Sequence, residues 1–146
     1  ESESRGLGDV YKRQEEKVYQ FRRSWDLRPD PLDKNNPHHP INIDAYKEIP
    51  INKIPDTESL KDTYERVLNF YKQEIENEIS NNNILISAHG NSIRALCKYL
   101  FKLDENQISK LEIPTGNPLL INLDKENKIT DCKYLDKERA KDLLVF

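Results

Sequence analysis

The chain has 146 residues, 34% of them charged and 36% hydrophobic, with a formal net charge of −3 from 23 basic and 26 acidic side chains. That length suits one domain or part of one. The mixed, slightly acidic balance excludes a basic nucleic-acid footprint, and no apolar run approaches the roughly 18 residues that span a bilayer. Cys97 and Cys132 form no metal or redox spacing and no apolar leader is visible, so a reduced, cytoplasmic setting is expected. Methionine is absent even at position 1, as expected of a fragment or a processed chain.

Residues 1–14 carry two glycines and no clear period, and are set aside as a lead-in outside the fold. Val18, Phe21 and Trp25 share a face at helical spacing, which predicts a short amphipathic helix over 15–25. Arg22 and Arg23 fall in its last turns, where cations suit the helix dipole. Six of the eight prolines lie in residues 27–56, which keep no period and read as a long irregular crossing, a feature that is often functional. Within it, His38-His39 has no further ligands at metal spacing and reads as a solvated loop. Leu60, Tyr64, Val67, Leu68, Tyr71, Ile75 and Ile79 predict a helix over 57–79, with Asp56 or Thr57 as its cap. Glu48, Asp56 and Glu58 read as surface or capping carboxylates.

The run Ile84-Leu85-Ile86-Ser87-Ala88 is short, apolar and β-branched, and predicts a strand buried on both faces, as in a parallel sheet. After His89-Gly90-Asn91-Ser92 a helix is expected, with Ile93, Leu96, Cys97 and Leu100 on one face and Cys97 a buried core thiol. A short helix over Glu105–Leu111 follows. Two strands, 118–123 and 128–135, flank the turn Asp124–Asn127, and the tail 137–144 forms a last helix.

Ala88-His89-Gly90-Asn91-Ser92 is the strongest chemical signal. In open α/β sheets, sites form beyond the carboxyl ends of strands. A helix start there offers free N–H groups and a positive dipole end to an anion such as phosphate. Gly90 lets backbone approach a ligand, His89 can donate to phosphoryl oxygens, and Asn91 can supply an amide donor or cap the helix. The same residues are compatible with a satisfied turn histidine and a plain turn glycine. Arg22 and Arg23 can clamp phosphate or carboxylate in bidentate geometry, or can form a solvated helix face. They point about 100° apart on a helix, so both reach one ligand only at a helix end or beside a cleft. Thr115-Gly116 after Pro114 is compatible with a plain turn.

Ile84–Leu100, ILISAHGNSIRALCKYL, resembles the second-histidine segment of the 2,3-bisphosphoglycerate-dependent phosphoglycerate mutases, and Ile113-Pro114-Thr115-Gly116 continues the same register. Phe21-Arg22-Arg23-Ser24-Trp25-Asp26 resembles the paired-arginine segment of that family, with the proline-rich crossing and Thr57-Glu58-Ser59-Leu60 in the expected order. The resemblance covers residues 15–146, which would form the C-terminal part of a single phosphoglycerate mutase domain. It implies a three-layer α/β/α sandwich, incomplete at the N-terminus, in the broader histidine phosphatase superfamily.

It also implies interconversion of 3-phosphoglycerate and 2-phosphoglycerate through a phosphohistidine, with 2,3-bisphosphoglycerate as primer, no metal, and a homo-oligomeric full-length enzyme. His89 matches the second active-site histidine, Gly90 and Asn91 match ligand-binding positions, and Arg22 and Arg23 match the substrate clamp. The family's arginine-histidine-glycine nucleophile motif does not occur among these residues, and no residue matches its proton-donor glutamate. The chain alone is therefore expected to be inactive and to expose an unpaired edge and part of its apolar faces. A phosphatase of the same superfamily and a non-catalytic anion-binding fragment are the alternatives.

Overall fold

The computed structural model describes residues 2–140, with side chains described from Val10 onward. The chain divides into two compact units at Ser59/Leu60, and each is described by itself.

The first unit opens with helix α1, Ser2–Arg23. It runs back through the residues set aside as a lead-in, because most of them favour a helix or tolerate it and only Gly6 and Gly8 oppose it. Residues 10–20 are all exposed, Val18 among them, so the expected buried stripe is reduced to a half-buried Phe21, whose ring lies 5.6 Å from the Lys17 ammonium. Trp25 lies beyond the helix end.

The crossing that follows holds three short 3-10 turns, Pro40–Asn42, Asp44–Tyr46 and Ile51–Lys53. Its organising group is His39, which is 0% exposed while His38 is exposed. The solvated-loop expectation therefore fails for His39. Its Nδ1 accepts the Ile41 N–H at 3.2 Å, and its Nε2 meets Asp56 Oδ1 at 3.0 Å. An Nδ1 that accepts leaves the ring hydrogen on Nε2, which donates to the carboxylate. The Leu32 N–H donates to the Asp56 carbonyl at 2.9 Å, and Thr57 Oγ1 donates to the Pro29 carbonyl at 2.6 Å. Asp56 and Thr57 thus bind the loop rather than cap a helix, and the next helix begins at Leu60.

In the second unit, α2 (Leu60–Phe70) passes into a π turn, Tyr71–Ile75, and then α3, Glu76–Ile79. The expected single helix thus carries a wider turn in the middle, a local insertion that the apolar spacing does not reveal. Helix α4, Gly90–Leu100, packs against α2, and Tyr71 meets Tyr99 edge-to-face at 5.7 Å. Helix α5, Glu105–Lys110, is started by a capping box. Asp104 accepts from the Gln107 N–H at 2.7 Å, and the Gln107 side chain accepts from the Asp104 N–H at 2.9 Å. Ala95, Cys97, Leu103, Ile108, Leu111 and Tyr134 form the core.

Strands β1 (Leu119–Leu123) and β2 (Ile129–Tyr134) form an antiparallel hairpin, with Leu119 opposite Tyr134 and a register shift between Asn122 and Leu123. Asp124 holds the turn by accepting from the N–H groups of Glu126 at 2.8 Å and Lys128 at 2.9 Å. Gly116, at φ 68°, takes the left-handed conformation that favours glycine and leads into Asn117. Asn117 is 5% exposed, donates to the Asp136 carbonyl at 2.9 Å and accepts its N–H at 3.0 Å. This fastens the start of β1 beyond the end of β2. Residues 138–140 form a turn, and the rest of the helix expected over 137–144 lies outside the described residues.

The buried strand expected at Ile84–Ala88 is not formed. Among the described residues the sheet is the two-stranded hairpin, and Ile84–Ala88 has no ladder and no backbone hydrogen bond. The segment is exposed throughout, Leu85 to 91%. It borders an open groove of about 870 Å³, lined by Tyr71, Ile75, Leu96, Leu100 and Ile121 among others. The open apolar faces expected from the resemblance are thus seen here, whereas the buried strand is not. Helices and a small sheet give the chain an α/β character.

Candidate active site

Residues His89, Gly90 and Asn91 come together at the start of α4. His89 is the N-cap residue, with φ −64° and ψ 149°, and its carbonyl accepts the first helical bond, from the Ile93 N–H at 3.1 Å. The exposed imidazole makes no capping bond to its own helix. The N–H groups of Gly90, Asn91 and Ser92 occupy the first turn, where an α-helix has no internal acceptors. A β-carbon at Gly90 would meet nothing within 4 Å, and the residue does not have a positive φ. The glycine leaves open space at the helix start rather than relieving backbone strain.

The Asn91 side chain is exposed, but its Oδ1 accepts from the Arg94 guanidinium at 3.2 Å. Arg94 is 5% exposed and donates through its other terminal nitrogen to the Ile108 carbonyl of α5 at 2.7 Å. Sequence reasoning passed over Arg94. The available signal was a cation three residues after Asn91, a spacing that lets the two side chains meet on one helix face.

Arg22 and Arg23 form the last turn of α1, and the Ser24 N–H closes the helix on the Gln20 carbonyl at 2.8 Å. The helix-end placement that lets both guanidinium groups serve one ligand is therefore met. Arg22 is exposed and Arg23 half-buried. The two arginines belong to the first unit and His89, Gly90 and Asn91 to the second.

The thiols do not add a nucleophile. Burial pushes the Cys97 thiol up to about 12, with Cys132 adding to the effect, and burial followed by the charge of Asp131 pushes Cys132 up to about 11. Neither supplies much thiolate near neutrality, and Cys97 is the core thiol expected. The α4 terminus instead offers backbone N–H donors, an imidazole and a carboxamide at the positive end of a helix dipole. That set fits a phosphoryl group, which needs oriented donors above all.

Comparison with known proteins identifies the family. Residues 25–132 match the family described as the histidine phosphatase superfamily, branch 1. Over 133 residues the chain is 68% identical to the 2,3-bisphosphoglycerate-dependent phosphoglycerate mutase of Pelagibacter ubique (strain HTCC1062), covering 90% of this chain and 56% of that protein. The proteins of the same name from Borreliella afzelii (strain PKo) and Hyphomonas neptunium (strain ATCC 15444) are 46% and 45% identical over 125 and 130 residues. These matches cover 85% and 88% of this chain and 50% and 54% of the relatives. The chain thus spans about half the length of the curated relatives it matches. The match across most of its residues, with His89 presented at a donor-rich helix start, makes this chain a member of the histidine phosphatase superfamily, branch 1.

Proposed function

We propose that these residues are part of a 2,3-bisphosphoglycerate-dependent phosphoglycerate mutase, an isomerase that interconverts 3-phosphoglycerate and 2-phosphoglycerate. The observation that carries this reading is the 68% identity, over 90% of the chain, to a protein of that name.

In this reading, 2,3-bisphosphoglycerate supplies the phosphoryl group that primes the enzyme. The donors at the start of α4 are chemically suited to hold such a group. His89 donates to the phosphoryl oxygens and stabilises their charge, while the N–H groups of Gly90 and Asn91 orient them. Arg22 and Arg23 clamp the remaining anionic groups of the substrate. The mutase works in the cytoplasm as a homo-oligomer without metal. Its complete domain is a three-layer α/β/α sandwich, in which Ile84–Ala88 is a strand of the parallel sheet. The nucleophilic histidine lies in a segment other than these 146 residues, so this chain by itself does not turn over substrate.

The test assays the chain alone and joined to the N-terminal part of the Pelagibacter relative, with 3-phosphoglycerate and primer supplied. The expected result is 2-phosphoglycerate from the joined protein only, with a fall of at least about a hundredfold on His89→Ala, as for loss of a strong transition-state donor. Free phosphate in place of 2-phosphoglycerate would turn the assignment to a phosphatase. Turnover by the chain alone would overturn the view that its nucleophile lies elsewhere.

A further inference from the structure

The carboxamide of Asn91 at the α4 terminus can face either way, since rotation by half a turn exchanges its oxygen for its nitrogen. Only one orientation serves an anion. Arg94 removes the ambiguity, because a guanidinium donates and never accepts, so the group facing it at 3.2 Å must be Oδ1. Nδ2 is then directed away from Arg94. Arg94 is itself held, 5% exposed and bound to the Ile108 carbonyl at 2.7 Å. The exposed Asn91 is thus steered by a residue that has little freedom to move.

We propose that Arg94 is a positioning residue, which fixes Asn91 with its amide nitrogen as a donor to a bound phosphoryl oxygen. The proposal rests on the reading of the α4 start as a phosphoglycerate site. Arg94 does not touch the ligand; it acts through Asn91. Its bond to α5 also allows a purely structural role, and the two roles differ in how mutations at 91 and 94 combine.

The experiment is titration calorimetry with 3-phosphoglycerate of the chain joined to the N-terminal part of the Pelagibacter relative, for the native sequence and for Asn91→Ala, Asn91→Asp, Arg94→Ala and the Asn91→Ala/Arg94→Ala double variant. Loss of the Asn91 donor is expected to weaken binding about tenfold. Arg94→Ala should do the same, and the double variant should be no weaker than Asn91→Ala. Asn91→Asp keeps an acceptor for Arg94 and hence the fold, but it removes the donor and sets a negative charge beside the anion. It should bind more weakly than Asn91→Ala.

A full additional loss from Arg94→Ala in the Asn91→Ala background would overturn the positioning role while leaving the site intact. Asn91→Asp binding as tightly as the native joined protein would overturn it as well, and that variant decides the matter if Arg94→Ala does not fold. No binding by the native joined protein would bring down the phosphoglycerate reading together with this proposal.

Discussion

Two short apolar runs, Ile84–Ala88 and Leu119–Leu123, have similar composition but meet different fates. The second is strand β1, fully laddered to β2, with alternate residues half-buried. The first has no ladder among the described residues, and Leu85 is 91% exposed. The difference lies in where a partner can come from. β1 finds its partner just past the turn Asp124–Asn127, which Asp124 itself organises. Ile84–Ala88 is flanked by the helices α3 and α4. A strand set between helices pairs in parallel, through crossovers, with chain that is distant in sequence. Strand propensity describes a residue's fitness for a half-buried pleated surface, and it cannot create that surface.

The largest test of this contrast is truncation on either side of it. Tyr134, 2% exposed at the end of β2, should cost about 3–5 kcal/mol on replacement by alanine. Leu85→Ala should stay within about 0.5 kcal/mol, both read from urea unfolding. Hydrogen exchange sharpens the same point: the ladder amides of β1 and β2 should exchange measurably more slowly than those of Ile84–Ala88. A protected Ile84–Ala88 would show that the segment finds a partner in solution.

Next in size is Asn117→Ala, which leaves the Asp136 N–H and carbonyl without their side-chain partner. It should cost about 1–3 kcal/mol and raise exchange first at the open end of the hairpin, around Leu119 and Tyr134. The smallest effect concerns the turn. Hydrogen bonds from the Lys128 and Glu126 backbone hold the Asp124 carboxyl below its ordinary 3.8. A depressed carboxyl stabilises the fold above its unfolded value, and the contribution is lost as pH falls through the folded one. Hairpin stability should therefore decline below about pH 4 in the native chain, and Asp124→Ala should flatten that slope in a pH series of melting curves.

What was legible from sequence follows the range of the interactions involved. Helix α4, the hairpin and α5 are set by periodicity and by turn or cap residues a few positions away; the hairpin and α5 lie within a residue of where they were expected, and α4 starts three residues early, at Gly90. Cys97 was placed correctly in the core because the face it shares is defined within its own helix. The failures concern partners far off in the chain. His39 is buried by a carboxylate seventeen residues later, and Asn117 bridges to Asp136. Neither pairing leaves a local pattern. Nor does burial of Ile84–Ala88, which is a property of neighbours rather than of the segment. At the candidate site, His89, Gly90 and Asn91 could be read from their place between an apolar run and a helix. Arg94 escaped notice because its burial depends on the Ile108 carbonyl of another helix, fourteen residues away.

The bond from His39 to Asp56 has a topological consequence. Together with the Leu32 to Asp56 backbone bond, it closes the proline-rich crossing into a ring. The exposed turns holding Lys47 and Lys53 lie inside that ring. Residues inserted at these turns would lengthen a loop whose ends are already held together, at a small cost in closure entropy.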